Sequence, residues 1–182
     1  ISEPAQLGIL PLILGSLLVT LGAALISVPV GVGCAVYIAE VAPAGIKGLL
    51  KVGIELLAAI PSVVIGFIGM VTLVPLVKNI FHLPTGLTAL SGSIMLAFMA
   101  MPTIVSIAED ALYAVPKSYR EGAFALGATH WQTIWRVILP AASSGILAAV
   151  MLGIGRVIGE TMAVMMITGN SAVIPQSILQ PV

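Results

Sequence analysis

Residues 8–40 read GILPLILGSLLVTLGAALISVPVGVGCAVYIAE, and from Pro4 to Ala39 no side chain carries a charge. A helix needs about 20 apolar residues to cross about 30 Å of hydrocarbon. This run is therefore more than one straight span, and Pro29 inside it implies a kink or an extension beyond the bilayer. Moving outward, further uncharged runs cover 56–77, 79–108 and 137–155, the last resuming past Arg156 and Glu160. Each approaches or exceeds the span length, which predicts four membrane helices at about 8–39, 56–77, 88–110 and 142–168. Composition agrees: 59% of the 182 residues are hydrophobic and 8% charged, against about 45–50% and about 25% in soluble domains. A water-soluble globule is excluded, and so is nucleic-acid binding, because seven basic and seven acidic residues leave no net positive surface. One cysteine, Cys34, rules out an internal disulfide, and His82 and His130 lack zinc spacing. The start at Ile1, with no basic-then-apolar leader, suggests a piece of a longer or processed chain.

Three polar stretches join the predicted spans. The first, 40–55, mixes Glu40, Lys47, Lys51 and Glu55 with Leu49, Leu50, Val52 and Ile54, a pattern suited to lying along the interface before the chain turns in at Pro61. The second, 78–87, is a short turn with Lys78 and His82. The third, 111–141, is long and holds Lys117, Arg120 and Arg136. Because Lys and Arg concentrate on the cytoplasmic side, the third stretch is expected inside, and alternation puts 40–55 inside and 78–87 outside.

The third stretch contains PKSYREGAFALGATHWQTIWRVILP, residues 116–140. Pro116 suits a helix start, Ser118 with Glu121 three residues on forms a candidate capping box, and Gly127 should divide two short helices. Phe124, Trp131 and Trp135 need a surface to bury against, either the membrane face and neighbouring helices or a partner. In the last predicted span, Arg156 and Glu160 stand four apart near mid-membrane. Such charges must face protein or water. One reading is an internal ion pair that fixes packing; the other is an anion site, since a guanidinium presents a planar donor fork that matches phosphate oxygens, with Thr161 as a further hydroxyl. Gly155 and Gly159 suggest close helix packing, and Met162, Met165 and Met166 suggest core filler.

The run Glu121, Gly122, Ala123, three residues, Gly127, nine residues, Val137, one residue, Leu139, Pro140 resembles the signature of permease subunits of binding-protein-dependent ABC importers, departing from it only in Gly122 for Ala and Val137 for Ile. With residues 8–40, IPSVVIGFIG (60–69) and GRVIGETMAVMMITGN (155–170), the chain is similar to the permeases of phosphate-specific (Pst) importers, in their PstC-like branch. The resemblance implies an all-α polytopic membrane protein with the type I ABC importer transmembrane fold, a single transmembrane domain over 1–182 in which about four spans are present and the first and last family spans would be missing. It further implies a multi-pass subunit of the inner membrane that moves inorganic phosphate, with Arg156, Glu160 and Thr161 on the substrate path and Glu121, Gly122, Ala123, Gly127, Leu139 and Pro140 coupling to an ATPase. No GxxxxGK[ST] loop occurs, so ATP would be bound and hydrolysed by partner ATPase subunits, with no cofactor in this chain. A second permease subunit and a periplasmic or extracellular phosphate-binding protein complete the implied partners. Sulfate or molybdate import is the runner-up. A passive anion channel would need a polar pore line, and an intramembrane enzyme would need paired catalytic groups; the sequence supplies neither.

Overall fold

The computed structural model describes residues 9–169, 171 and 177–182. In chain order the elements are α1 (Leu10–Val36) running into a π-helical turn (Tyr37–Val41), α2 (Ala44–Ala59), α3 (Ser62–Phe81), α4 (Ala89–Tyr113), α5 (Lys117–Ala125), α6 (His130–Thr133), a second π turn (Ile134–Ile138), α7 (Leu139–Ala141), α8 (Ser143–Ile158) and α9 (Met162–Ile167). Three helical stretches are long and apolar enough to cross a membrane: Leu10–Val41, Ser62–Phe81 and Ala89–Tyr113. The pair His130–Ala141 and Ser143–Ile158, bent by 70°, makes a fourth if counted as one span. On α1, Leu17, Leu21 and Leu25 are 53, 61 and 77% exposed, a ridge suited to lipid, where the helix satisfies its own backbone.

Two of the expected spans need correction. The second begins at Ser62 rather than 56, because residues 56–59 close α2. Ile60 precedes Pro61, and the proline ring excludes helical geometry there; Ile60 is accordingly extended, at φ −68° and ψ 129°. The fourth is not one helix over 142–168. It bends at Ala142, ends at Ile158, turns at Gly159 and Glu160, and resumes as α9. Glycine at 159 costs helix stability, and the Glu160 carboxylate accepts the Ala163 N–H (3.4 Å), which favours a fresh start over continuation.

The described residues form two compact units, one drawn from those within Ile1–Leu25, Pro61–Ala97 and Val157–Val182, the other from Ile26–Ile60 and Phe98–Arg156. In the first, α3 lies close on α9: a Cβ at Gly66 would sit 3.0 Å from Ala163 Cα, and one at Gly69 would sit 2.9 Å from both Ile167 Cδ1 and Met95 Sδ. Ser93 Oγ donates to Val19 O (3.1 Å) and to Ala89 O (2.9 Å), tying α4 to α1. Met162 and Met165 are 60 and 55% exposed; the expectation of core filler fails for them, since it is Ala163 and Ile167 that turn inward.

The second unit has a core of Ala35, Ile38, Ala39, Val105, Ala108, Leu112, Val115, Ile134, Ile138, Ala142 and Ala149. Both π turns contribute to it. Ile104, fully buried, is held between α1 and α8, where Gly31 and Gly153 lie against its side chain. A Cβ at Gly155 would meet nothing within 4 Å, so the close-packing glycines of α8 in this unit are Gly145, against Ala111, and Gly153, not Gly155.

Candidate functional site

Within the second unit, the 117–140 stretch folds as two short helices with Gly127 between them. Gly127 takes φ +79°, the Ala128 N–H bonds Ala123 O (3.0 Å) and the Gly127 N–H bonds Phe124 O (2.9 Å). These are the two bonds of a Schellman cap, which requires a left-handed residue where glycine is cheapest. The capping box predicted at Ser118 and Glu121 is not formed, because the cap position of α5 is Pro116, which offers no side-chain acceptor. A capping box does form one helix later: Thr129 Oγ1 accepts from Gln132 N (3.3 Å), and Gln132 Oε1 accepts from Thr129 N (2.9 Å).

The signature residues divide by exposure. Ala123, the single buried residue of α5, faces inward, while Glu121, Gly122 and Gly127 are exposed. Around them Tyr119, Phe124 and Leu126 are exposed, Leu126 at 90%, and Trp131 and Trp135 are exposed on the opposite side of α6 and the second π turn from buried Thr133 and Ile134. Leu139 is half-buried and Pro140 exposed in α7, next to the bend. Glu121, Gly122, Phe124, Leu126 and Gly127 thus lie on one open surface; Leu139 and Pro140 belong to the bend into α8.

What holds that surface was not visible in the sequence. Arg120 Nη2 donates to Glu40 Oε1 (2.5 Å) and to Leu112 O (3.2 Å), Nη1 to Val115 O (3.1 Å), and Nε lies 3.5 Å from Glu40 Oε2. The Glu40 carbonyl contacts His130 Nε2 at 3.3 Å, and the His130 ring stacks on Phe124. Lys47 Nζ donates to Ala39 O (2.7 Å). A π turn frees carbonyls from the regular ladder, and Ala39 and Glu40 use theirs in this way. A second clasp joins α2 to α4: Lys51 Nζ is 3.8 Å from Glu109 and 3.5 Å from Asp110. Glu109 raises the Lys51 pKa above its usual value, burial opposes this, and Asp110 adds to it. Polar stretches 40–55 and 111–141 are therefore in direct contact.

The charged pair of the last predicted span is separated by the helix break. Arg156, in the last turn of α8, donates Nη1 to Thr103 Oγ1 on α4 (3.4 Å) within the second unit. Glu160 and Thr161 belong to the first unit, where they line a cavity of about 280 Å3 with Ser16, Val164, Met165 and Thr168. The i, i+4 helical pairing does not form, and among the described residues the ion pairs are Lys51 with Glu109 and Asp110, and Arg120 with Glu40. Thr161 precedes α9 without a side-chain cap bond. Thr103 is the partner that sequence reading missed; a lone threonine in an apolar run gives no signal until α4 is packed.

Among the described residues every regular element is helical and three helices are long and apolar enough to cross a membrane, which with an exposed, clasped polar loop defines a polytopic membrane protein. Residues 27–181 match the family described as binding-protein-dependent transport system inner membrane component, and the chain belongs to that family. It is 48% identical over 97% of its length to the probable ABC transporter permease protein YqgH of Bacillus subtilis, of which it covers 57%. It is 38% identical over 97% of its length to the phosphate transport system permease protein PstC of Haemophilus influenzae, covering 62% of that protein, and 40% identical over 91% of its length to PstC 1 of Mycobacterium tuberculosis, covering 54%. The chain thus spans little more than half the length of these relatives. In fold it is similar to a chain of the MetNI methionine ABC transporter in inward-facing form, with TM-score 0.63, 24% identity and coverage of 87% of this chain and 74% of that one. The fold is that of an ABC transporter transmembrane domain, and the chain is an inner-membrane component.

Proposed function

We propose that the chain is the core of a permease subunit in an ATP-driven importer that carries inorganic phosphate across the cytoplasmic membrane. The observation that carries this reading is the α5–Gly127–α6 surface: the signature residues Glu121, Gly122 and Gly127 are open to a partner, while Arg120 just before them and Ala123 among them face the protein. An ATPase subunit docking there can push on the transmembrane helices, and the likeness to PstC proteins at 34–40% identity supports phosphate as cargo. A second permease subunit and a phosphate-binding protein outside the membrane complete the machine; ATP is hydrolysed on the partner. Leu139 and Pro140 sit at the bend where a push on 130–141 is turned into α8.

On the substrate path, Arg156 offers a planar donor fork whose partner among the described residues is the neutral Thr103 hydroxyl at 3.4 Å. That weak partner leaves the guanidinium ready for an oxyanion. Glu160 and Thr161 stand at a helix break, where backbone and side chain can move without breaking a continuous ladder. Phosphate uptake by cells carrying the full-length permease tests this: uptake should resist excess sulfate and molybdate and should fall in Arg156→Lys, which keeps charge but loses the fork. Inhibition by sulfate equal to that by unlabelled phosphate would reassign the cargo. Full activity in the abundant double variant Arg156→Gln with Glu160→Gln would remove both residues from the path.

A further inference from the structure

We infer that Arg120 and Glu40 form a strut that makes the docking surface one mechanical piece with the membrane helices, so that Arg120 is a positioning residue for ATPase coupling. This rests on the coupling role proposed for α5. The helix has little else to hold it, since Ala123 is its one buried residue. A push on so lightly packed an element would be dissipated by tilting it. Arg120 instead ties α5 to the π turn that ends α1, through the Glu40 carboxylate, and to the last turn of α4 and the link beyond it, through the Leu112 and Val115 carbonyls. Glu40 also receives α6, because its carbonyl contacts His130. Both short helices therefore converge on one residue of the π turn that follows α1.

The pair is shielded enough to matter. The Glu40 side chain is 6% exposed and that of Arg120 22%, so water neither screens the contact nor readily replaces it. The planar guanidinium reaches the carboxylate and two carbonyls at once, which an ammonium cannot do. Bonds to backbone carbonyls at the end of α4 also fix direction: Arg120 cannot move without α4 and α1 moving with it.

The test uses the complete transporter in proteoliposomes, with phosphate taken up per ATP hydrolysed as the readout, alongside the KM for phosphate and the amount of assembled complex. Arg120→Gln should assemble and keep its KM, yet lower the uptake-to-hydrolysis ratio roughly tenfold, as loss of one element in a coupling network can. Arg120→Lys should fall between, and Glu40→Gln, which retains an acceptor oxygen, should lower the ratio less. If Arg120→Gln does not accumulate, Glu40→Gln and Arg120→Lys decide the matter. An unchanged ratio in the variants that assemble would overturn the strut. Gly127→Trp in the same assay separates the two claims: if it lowers the ratio while the Arg120 variants do not, docking stands and the strut falls, whereas an unchanged ratio in Gly127→Trp removes the coupling role itself.

Discussion

Gly127 separates backbone strain from docking, because it takes the left-handed geometry of the α5 cap and lies on the surface proposed to meet an ATPase. Its φ of +79° is closed to most side chains, yet a Cβ there would meet nothing within 4 Å. Replacement by any L-residue therefore carries only the cost of left-handed geometry, about 1–2 kcal/mol, and asparagine, which visits this region more easily, less. That cost falls on an exposed cap, so Gly127→Ala and Gly127→Asn should insert normally and lose at most severalfold in uptake. Gly127→Trp carries the same strain and adds an indole to the open surface beside Leu126, which is 90% exposed. Bulk on a docking surface prevents close approach, so this variant should lose uptake and binding-protein-stimulated ATP hydrolysis while its membrane abundance matches that of Gly127→Ala. Phosphate uptake and ATPase activity of the three variants, normalised to abundance on immunoblots, give the comparison. Equal uptake in the Trp and Ala variants would refute the reasoning, because strain would then explain everything and the surface would have no partner.

Other outcomes follow from single positions. Gly153→Ala drives a methyl into buried Ile104, already 2.9 Å from the Cβ position of Gly31, and should cost about 1–3 kcal/mol in detergent unfolding; adding Ile104→Ala should recover part of that cost, and strictly additive losses would show that Ile104 is not wedged. Gly122→Ala places in α5 the alanine usual at that signature position, in open space; it should stabilise the helix by about 0.5–1 kcal/mol with uptake unchanged, and lost uptake would mean the partner approaches closer than a methyl allows. Since Glu109 raises the Lys51 pKa, the clasp stabilises the fold below the ordinary lysine value of 10.5 and loses that contribution as pH rises through the higher folded value; melting curves of Lys51→Gln should lack that alkaline step, and identical pH profiles would dismiss the clasp.

The parts of the fold legible in the sequence were those governed by one-dimensional rules. Long uncharged runs marked α1, α3 and α4, and Gly127 marked the division of the polar loop, because apolar length and left-handed geometry are local properties. Pro61 marked a turn, but its effect on Ile60 moved the second span forward by several residues. The break after Ile158 was hidden, since neither Gly159 nor Glu160 alone forces a helix to end and only the Glu160 carboxylate, folded back to the Ala163 N–H, shows why the helix restarts. The Arg156 and Glu160 pairing failed for the same reason: four residues apart means one face only in an unbroken helix. Arg120 and Glu40 lie 80 residues apart, and no periodicity relates them. Their contact needs α1, α4 and α5 assembled, which a single sequence read in windows does not supply.

The central claim is that the 117–135 surface faces the cytoplasm and meets an ATPase. It is tested most directly in the complete transporter, with Cys34 replaced by alanine and a single cysteine at Leu126 or at exposed His82. The cysteine at 126 should cross-link to the ATPase subunit and resist a membrane-impermeant maleimide added outside, whereas the cysteine at 82 should label from outside without cross-linking. Labelling of both positions from the same face, or a cysteine at 126 that labels from outside and never reaches the ATPase, would contradict it.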